Sequence, residues 1–174
     1  MLAALACGLL AAPRAPTFSG IVLQRAVRDS MSATWRDNNR HWDELADQNT
    51  LTQMLGTGKP TQHEYLACLM GRVARDTLWI EGAAAARRLK QLQFAVTGDC
   101  DALPGLVGTW HTHPYRAGPD GRPLKQRELS PQDLDTFAAS RDLVTLVMWD
   151  ADSLDAAAKG PYGGVRHPAA VVVR

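Results

Sequence analysis

Apolar and polar residues change their period several times along this chain, and the changes mark out its elements. Leu106 to His113 and Leu143 to Trp149 are the clearest extended segments, the second an apolar run bounded by Asp142 and Asp150. Glu64 to Gly71 predicts a buried strand. Arg72 to Gly82, with Val73, Leu78, Trp79 and Ile80, predicts a second strand paired with it as a hairpin. Leu92 to Val96 and Ala169 to Val173 read as further strands, and Gly20 to Val27 as either a short strand or the start of a helix. From about Asp29 to Met54 the period is helical, with Trp35, Trp42, Leu45 and Leu51 on one side and charge between them. Gly56-Thr57-Gly58-Lys59-Pro60 ends it. Ala83 to Gln91 suits a helical turn or a loop of helical bias. Gly98 to Gly105, Tyr115 to Leu129 and the polar stretch Asp152 to Gly164 read as connections, and Ser130 to Arg141 as a helix. Strands and helices interleave without internal repeats, so the expected class is α/β (α+β), a mixed sheet with helices packed on it.

The 174 residues suffice for one domain with a substantial core. The expected organisation is an N-terminal extension over residues 1–30, flexible or signal-like, followed by a single domain over residues 31–174. Leu2 to Ala12 is apolar throughout, too short to span a bilayer and without a preceding positive residue. A cytoplasmic protein is expected, with export as the alternative if residues 1–14 act as a signal; a start near Met31 is a third possibility. The net charge of +1 and the absence of a dense Lys/Arg run argue against a nucleic-acid partner, and no membrane partner is expected. Cys7, Cys68 and Cys100 are widely spaced and include no C-x-x-C pair. They indicate neither a disulfide framework nor a thiolate zinc site, and are read as small buried packing.

The chemistry concentrates in Gly108-Thr109-Trp110-His111-Thr112-His113-Pro114 and Ser130-Pro131-Gln132-Asp133. Histidines two apart on a strand project from one face, and Pro114 ends the ladder beside them. An isolated pair of this kind is more often structural than ligating. Ser-Pro-x-Asp is by itself a helix start, with serine as the cap and proline in the first turn. A carboxylate there is also fixed in direction, and two imidazoles with one carboxylate suit a catalytic zinc that keeps a fourth position for water. A zinc hydrolase needs a base besides. Glu64 stands at the head of a buried strand, with Glu44 and Glu81 as rivals that spacing does not eliminate. His41, His63 and His167 are read as surface residues or as supports of the site.

Together these residues resemble the JAMM (MPN+) metalloprotease motif: an upstream glutamate at the head of E-x-x-x-x-L-x-G, then H-x-H-P, then S-x-x-D. Here these are Glu64 leading to Leu69 and Gly71, then His111, His113 and Pro114, then Ser130 and Asp133. The resemblance spans about Thr61 to Trp149, and it favours Glu64 over its rivals. It implies a cytidine-deaminase-like fold, a curved mixed β-sheet, partly barrel-like and flanked by helices. It implies Zn²⁺ held by His111, His113 and Asp133, with Glu64 as general acid/base and Ser130 stabilising the oxyanion. It implies a zinc-dependent (iso)peptidase acting after the C-terminal Gly-Gly of a ubiquitin-like or sulfur-carrier protein. The alternatives are a small peptide or amide hydrolase and a non-catalytic scaffold; a RadC-like association with DNA repair fits the charge less well. Tyr115 to Leu129 is longer than the family's usual gap between proline and serine. With Gly118-Pro119-Asp120-Gly121 as its turn, it is expected to form a lid or part of the substrate groove, or else to occlude the site.

Overall fold

The computed structural model describes residues 17–39, 62–101, 103–117, 119, 122–160 and 163–174. Chain order gives β1 (Gly20–Leu23), α1 (Arg25–Asn38), β2 (Leu66–Ala74), β3 (Thr77–Ala85), β4 (Arg87–Leu92), β5 (Ala95–Asp99), β6 (Leu106–Thr112), β7 (Arg116–Ala117) and β8 (Pro123–Leu124). These are followed by α2 (Pro131–Ala139), β9 (Val144–Asp150), β10 (Ser153–Lys159), β11 (Val165–Arg166) and β12 (Val171–Val173). The main sheet runs β11-β10-β9-β6-β2-β3-β1-β12, with β4–β5 and β7–β8 as separate two-stranded ladders. It is mixed: β6–β9, β1–β3 and β1–β12 are parallel, and β2 is antiparallel to both β3 and β6. The expected α+β class is met by a curled sheet forming a half-barrel with two helices among the described residues.

The period-2 alternation of β6 and β9 divides the core. Trp110 lies beside Leu146 and, with Val144 and Met148, packs among Ile21, Leu23, Met31, Trp35, Leu69, Leu78 and Ile80. That face is covered by α1, through Val27, Met31 and Trp35. On the opposite face Val147 and Ala157 pack against Phe137 of α2 and against Leu129. The sheet therefore separates a large core under α1 from a smaller cluster under α2. Gly108 makes the β6–β9 pairing possible, because a Cβ there would lie 1.9 Å from the Val144 carbonyl oxygen.

Several expectations are corrected. Residues 17–30, assigned to an extension, carry β1 and the start of α1. β1 lies between β3 and β12, with Leu23 fully buried. Gly20 to Val27 thus contains both a strand and a helix start, because the chain turns at Gln24. The helix expected to run to Met54 is described as far as Asn38; Trp42, Glu44, Leu45, Leu51 and the Gly56–Pro60 break lie outside the described residues. Ala83 to Gln91 is extended, not helical. Ala83, Ala84 and Ala85 pair with Leu69, Cys68 and Ala67, and β4 follows directly. Asp152 to Gly164 is not a mere connection, since β10 places Ala156, Ala157 and Ala158 beside Leu146, Thr145 and Val144. In both places sheet pairing overrides the helical preference of alanine.

The reading of the cysteines as packing alone is also corrected. Cys68 and Cys100 form a disulfide across a sequence separation of 32, tying β2 to the end of β5. Among the described residues no helix is long and apolar enough to cross a membrane.

Titration of the denatured, unreduced full chain should therefore find one free thiol of three, whereas three would contradict the pairing. In the chain-entropy description a loop of this size is worth about 3–4 kcal/mol. Cys100→Ser should lower the unfolding free energy by up to that amount, read from denaturant curves.

Candidate metal centre

The strand pairing that buries Trp110 turns His111 to the other face. His111 is paired with Leu66 of β2. Extending that antiparallel register by two residues puts Glu64 opposite His113. Tyr65 and Thr112 fix the step between: the Tyr65 N–H donates to Thr112 Oγ1 at 2.9 Å, and the Thr112 N–H donates to the Tyr65 carbonyl at 3.0 Å. The His113 N–H donates to the Met148 carbonyl at 2.8 Å, holding the end of the run to β9. Both rings are buried, with centroids 4.9 Å apart.

Asp133 reaches them from α2. Pro131 begins that helix, and a capping box at its N-terminus fixes the start: the Asp133 N–H donates to Ser130 Oγ at 3.1 Å, and the Ser130 N–H donates to Asp133 Oδ2 at 2.7 Å. Ser130 Oγ also donates to Oδ2, at 2.6 Å. The cap aims the carboxylate at the histidines, with His111 Nε2 3.5 Å from Oδ1 and His113 Nε2 3.3 Å from Oδ2. The two Nε2 atoms are 3.1 Å apart.

These spacings can be tested against a metal. Ligands about 2.0–2.1 Å from a tetrahedral ion lie roughly 3.3–3.4 Å from one another. The 3.1 Å between the two Nε2 atoms is close to one edge of that tetrahedron. Each ring nitrogen also lies within 3.5 Å of a different Asp133 oxygen, and one ligand atom from each of the three residues lies within 4.8 Å of the others. His113 Nδ1 is 3.3 Å from the Gln126 carbonyl oxygen. A carbonyl can only accept, so Nδ1 carries the proton and Nε2 presents a bare lone pair. His111, His113 and Asp133 form the group among the described residues that could hold a metal ion. The capping and ligating roles of Asp133 do not exclude each other: Oδ2 is occupied by Ser130, and Oδ1 is turned to His111.

Electrostatics favour the same arrangement. Burial pushes the His111 pKa down, keeping the ring neutral as a ligand must be. Burial pushes Asp133 upwards, but its contacts with the His111 and His113 rings and with Ser130 in the metal-free chain outweigh it and hold the carboxyl well below the usual range. Glu64 is buried without a compensating cap. Desolvation raises it to about 7, with the His113 charge opposing and Asp133 adding to the rise.

Glu64, Ser130 and the three candidate ligands line one groove of roughly 800 Å³. Residues Phe94 to Gly98 form one wall and α2 the other. The rivals of Glu64 are not brought there: Glu81 pairs with Arg72 at 3.0 Å on the surface, and Glu44 lies outside the described residues. His167 Nε2 bonds Asp155 Oδ2 at 2.5 Å, and that same oxygen accepts from the Leu129 N–H at 3.0 Å, just before the Ser130 cap. His63 is half-buried, and His41 lies outside the described residues.

The long segment before Ser130 is held at both ends. Tyr115 packs on Trp35 with ring centroids 5.5 Å apart, and Lys125 pairs with Asp150. Arg116 and Gln126 line the groove, while Gly118, Asp120 and Gly121 of the expected turn lie outside the described residues. Gln126 is the contributor that sequence reasoning missed. It acts through its backbone carbonyl, so no side-chain signal could have marked it.

No protein-family model and no curated protein matches the sequence. Similar solved structures include the following two. One is the solution structure of a protein from Desulfitobacterium hafniense, with a TM-score of 0.50 at 15% identity over 88% of this chain and 92% of that one. The other is the crystal structure of a JAB1/MPN domain protein from Archaeoglobus fulgidus, with a TM-score of 0.43 at 14% identity over 88% and 99%. The first likeness is one of fold alone.

The raised Glu64 pKa makes a prediction for the metal-free protein. The folded carboxyl binds its proton more tightly than the unfolded one, so stability is lost as pH rises from 4.5 to about 7. Glu64→Gln should therefore stabilise the metal-free chain at pH 8, by on the order of 2–3 kcal/mol, and should not do so below pH 4.5. An equal effect at both pH values, read by thermal unfolding, would show that burial does not hold this proton.

Proposed function

We propose that this chain is a zinc-dependent (iso)peptidase that hydrolyses the bond after the C-terminal Gly-Gly of a ubiquitin-like or sulfur-carrier protein. The observation that carries the proposal is the convergence of ligand atoms of His111, His113 and Asp133 to within 4.8 Å of one another, with Glu64 in the same groove. Bound there, zinc would supply Lewis acidity towards the scissile carbonyl and bring the pKa of water towards ~7. His111 and His113 would hold it through Nε2, and Asp133 through Oδ1.

The chain's own residues would do the rest. Glu64, with a pKa of about 7, can take a proton from the attacking water and return it to the leaving nitrogen. Ser130 Oγ lines the groove and now donates to Asp133; in the proposed reaction its proton turns to the developing oxyanion. Ala95, Val96, Thr97 and Gly98 all line the groove although they are consecutive on a strand. They therefore present an edge, and among the described ladders β5 pairs with β4 alone. Such an edge suits an extended tail, and glycines suit the confined space beside the metal.

The capping box favours the scaffold alternative, because it explains Ser130 and Asp133 without a metal. It does not explain why two buried histidines turn towards that cap. The Cys68–Cys100 disulfide favours export over the cytoplasmic alternative, since disulfides persist in oxidising compartments.

The deciding experiment is cleavage of a Gly-Gly-linked fusion by the zinc-loaded protein. Wild type should release the carrier, and Glu64→Gln should lose at least about 10²-fold in kcat. Absence of turnover across a panel of ubiquitin-like fusions would overturn the proposal. Ser130→Ala separates the roles of the hydroxyl. A donor to the oxyanion costs about 10²-fold or more in kcat, whereas a cap alone costs about 1 kcal/mol of stability and leaves kcat in place.

A further inference from the structure

Beyond the metal centre, the groove ends in a second group of polar side chains: Thr109, Thr145 and Asp142. Thr109 precedes His111 by two residues on β6, so its hydroxyl lies on the same face, about 7 Å along the strand. Thr145 is its partner on β9, and the two hydroxyl oxygens are 3.5 Å apart. Thr109 Oγ1 also donates to Asp142 Oδ2, over a long 3.5 Å. The Asp142 N–H donates to Ser140 Oγ at 3.1 Å, which fixes the turn between α2 and β9.

The carboxylate has no ion-pair partner among the described residues. Lys159 is near, but its ammonium donates to the Ala138 carbonyl at 2.6 Å and lies over the Phe137 ring at 4.8 Å. Burial and the charge of Asp101 both push the Asp142 pKa up, a sign of a charge poorly solvated where it stands. Two hydroxyls and one carboxylate thus line one part of the groove, about one extended residue pair from the metal ligands. An ammonium carries three donors and no acceptor. The threonine methyls offer apolar surface to the methylenes behind it.

We infer that Asp142, Thr109 and Thr145 form a subsite for a lysine side chain of the substrate, one or two residues from the cleaved bond. This rests on the peptidase reading and adds a selectivity to it: a carrier or target with lysine at that position is preferred over one with an apolar residue of the same length. Asp142 supplies the charge, and the two hydroxyls supply the remaining acceptors.

The test compares extended peptides with lysine at each of the two positions on either side of a Gly-Gly bond, each matched by a norleucine peptide. Binding is measured by calorimetry on the protein as purified, and kcat/KM wherever turnover occurs. At one position wild type should prefer lysine by about tenfold, and Asp142→Asn should reduce the preference to about twofold or less. Thr145→Val, which keeps the carboxylate and the shape, should weaken the preference in part. Equal affinity for both peptides in wild type, binding of neither, or a preference that survives Asp142→Asn would overturn the subsite. The two readings fail separately. Turnover without lysine preference removes the subsite and leaves the peptidase; lysine-dependent binding without turnover does the reverse.

Discussion

The parallel contact between β6 and β9 sets the geometry on which the rest of this molecule depends. The two strands approach closely because Gly108 has no side chain to meet the Val144 carbonyl. Their register places Trp110 beside Leu146 on the face under α1, and His111 beside Val147 on the face under α2. A slip of one residue would exchange the two faces, burying the histidines in the large core and exposing the tryptophan. Apolar packing on one side of the sheet therefore holds the imidazoles on the other. The site uses the rigidity of the core without being part of it.

On that platform, a single carboxylate joins two kinds of order. Asp133 caps α2 through Oδ2, which also lies 3.3 Å from His113, and turns Oδ1 to His111. Helix capping is a local interaction, legible in four residues. The direction in which it points the carboxylate depends on where α2 lands, and that is decided by Phe137 and Leu129 packing on Val147 and Ala157. The segment from Tyr115 to Leu129 adds the Gln126 carbonyl, which orients His113 from behind. Glu64 completes the group from the segment just before β2.

Legibility followed the range of the interactions. β6, β9 and α2 were plain because period, proline and cap each act within a few residues. Glu64 stood out from Glu44 and Glu81 only through a composite motif, since a buried base has no local spacing of its own. The alanine runs of β3 and β10 carry no strand signal of their own, because alanine prefers helix; each is extended because it folds back as a hairpin on the strand just before it, β2 or β9. β1 was placed in an extension because four residues cannot announce that β3 and β12 flank them. The Cys68–Cys100 bond was missed for a similar reason: its geometry exists only once β2 and β5 are adjacent.

The central claim is that the histidines and the carboxylate form a metal centre rather than a hydrogen-bonded cap. The most direct measurement is the metal content of the purified chain after zinc is supplied and excess is removed, for wild type and for His113→Ala, with circular dichroism to verify folding. The account predicts about one zinc per wild-type chain, as expected for one ion on three protein ligands, and its loss from a variant that remains folded. A wild-type chain that takes up no zinc, or a variant that retains it fully, would contradict the account.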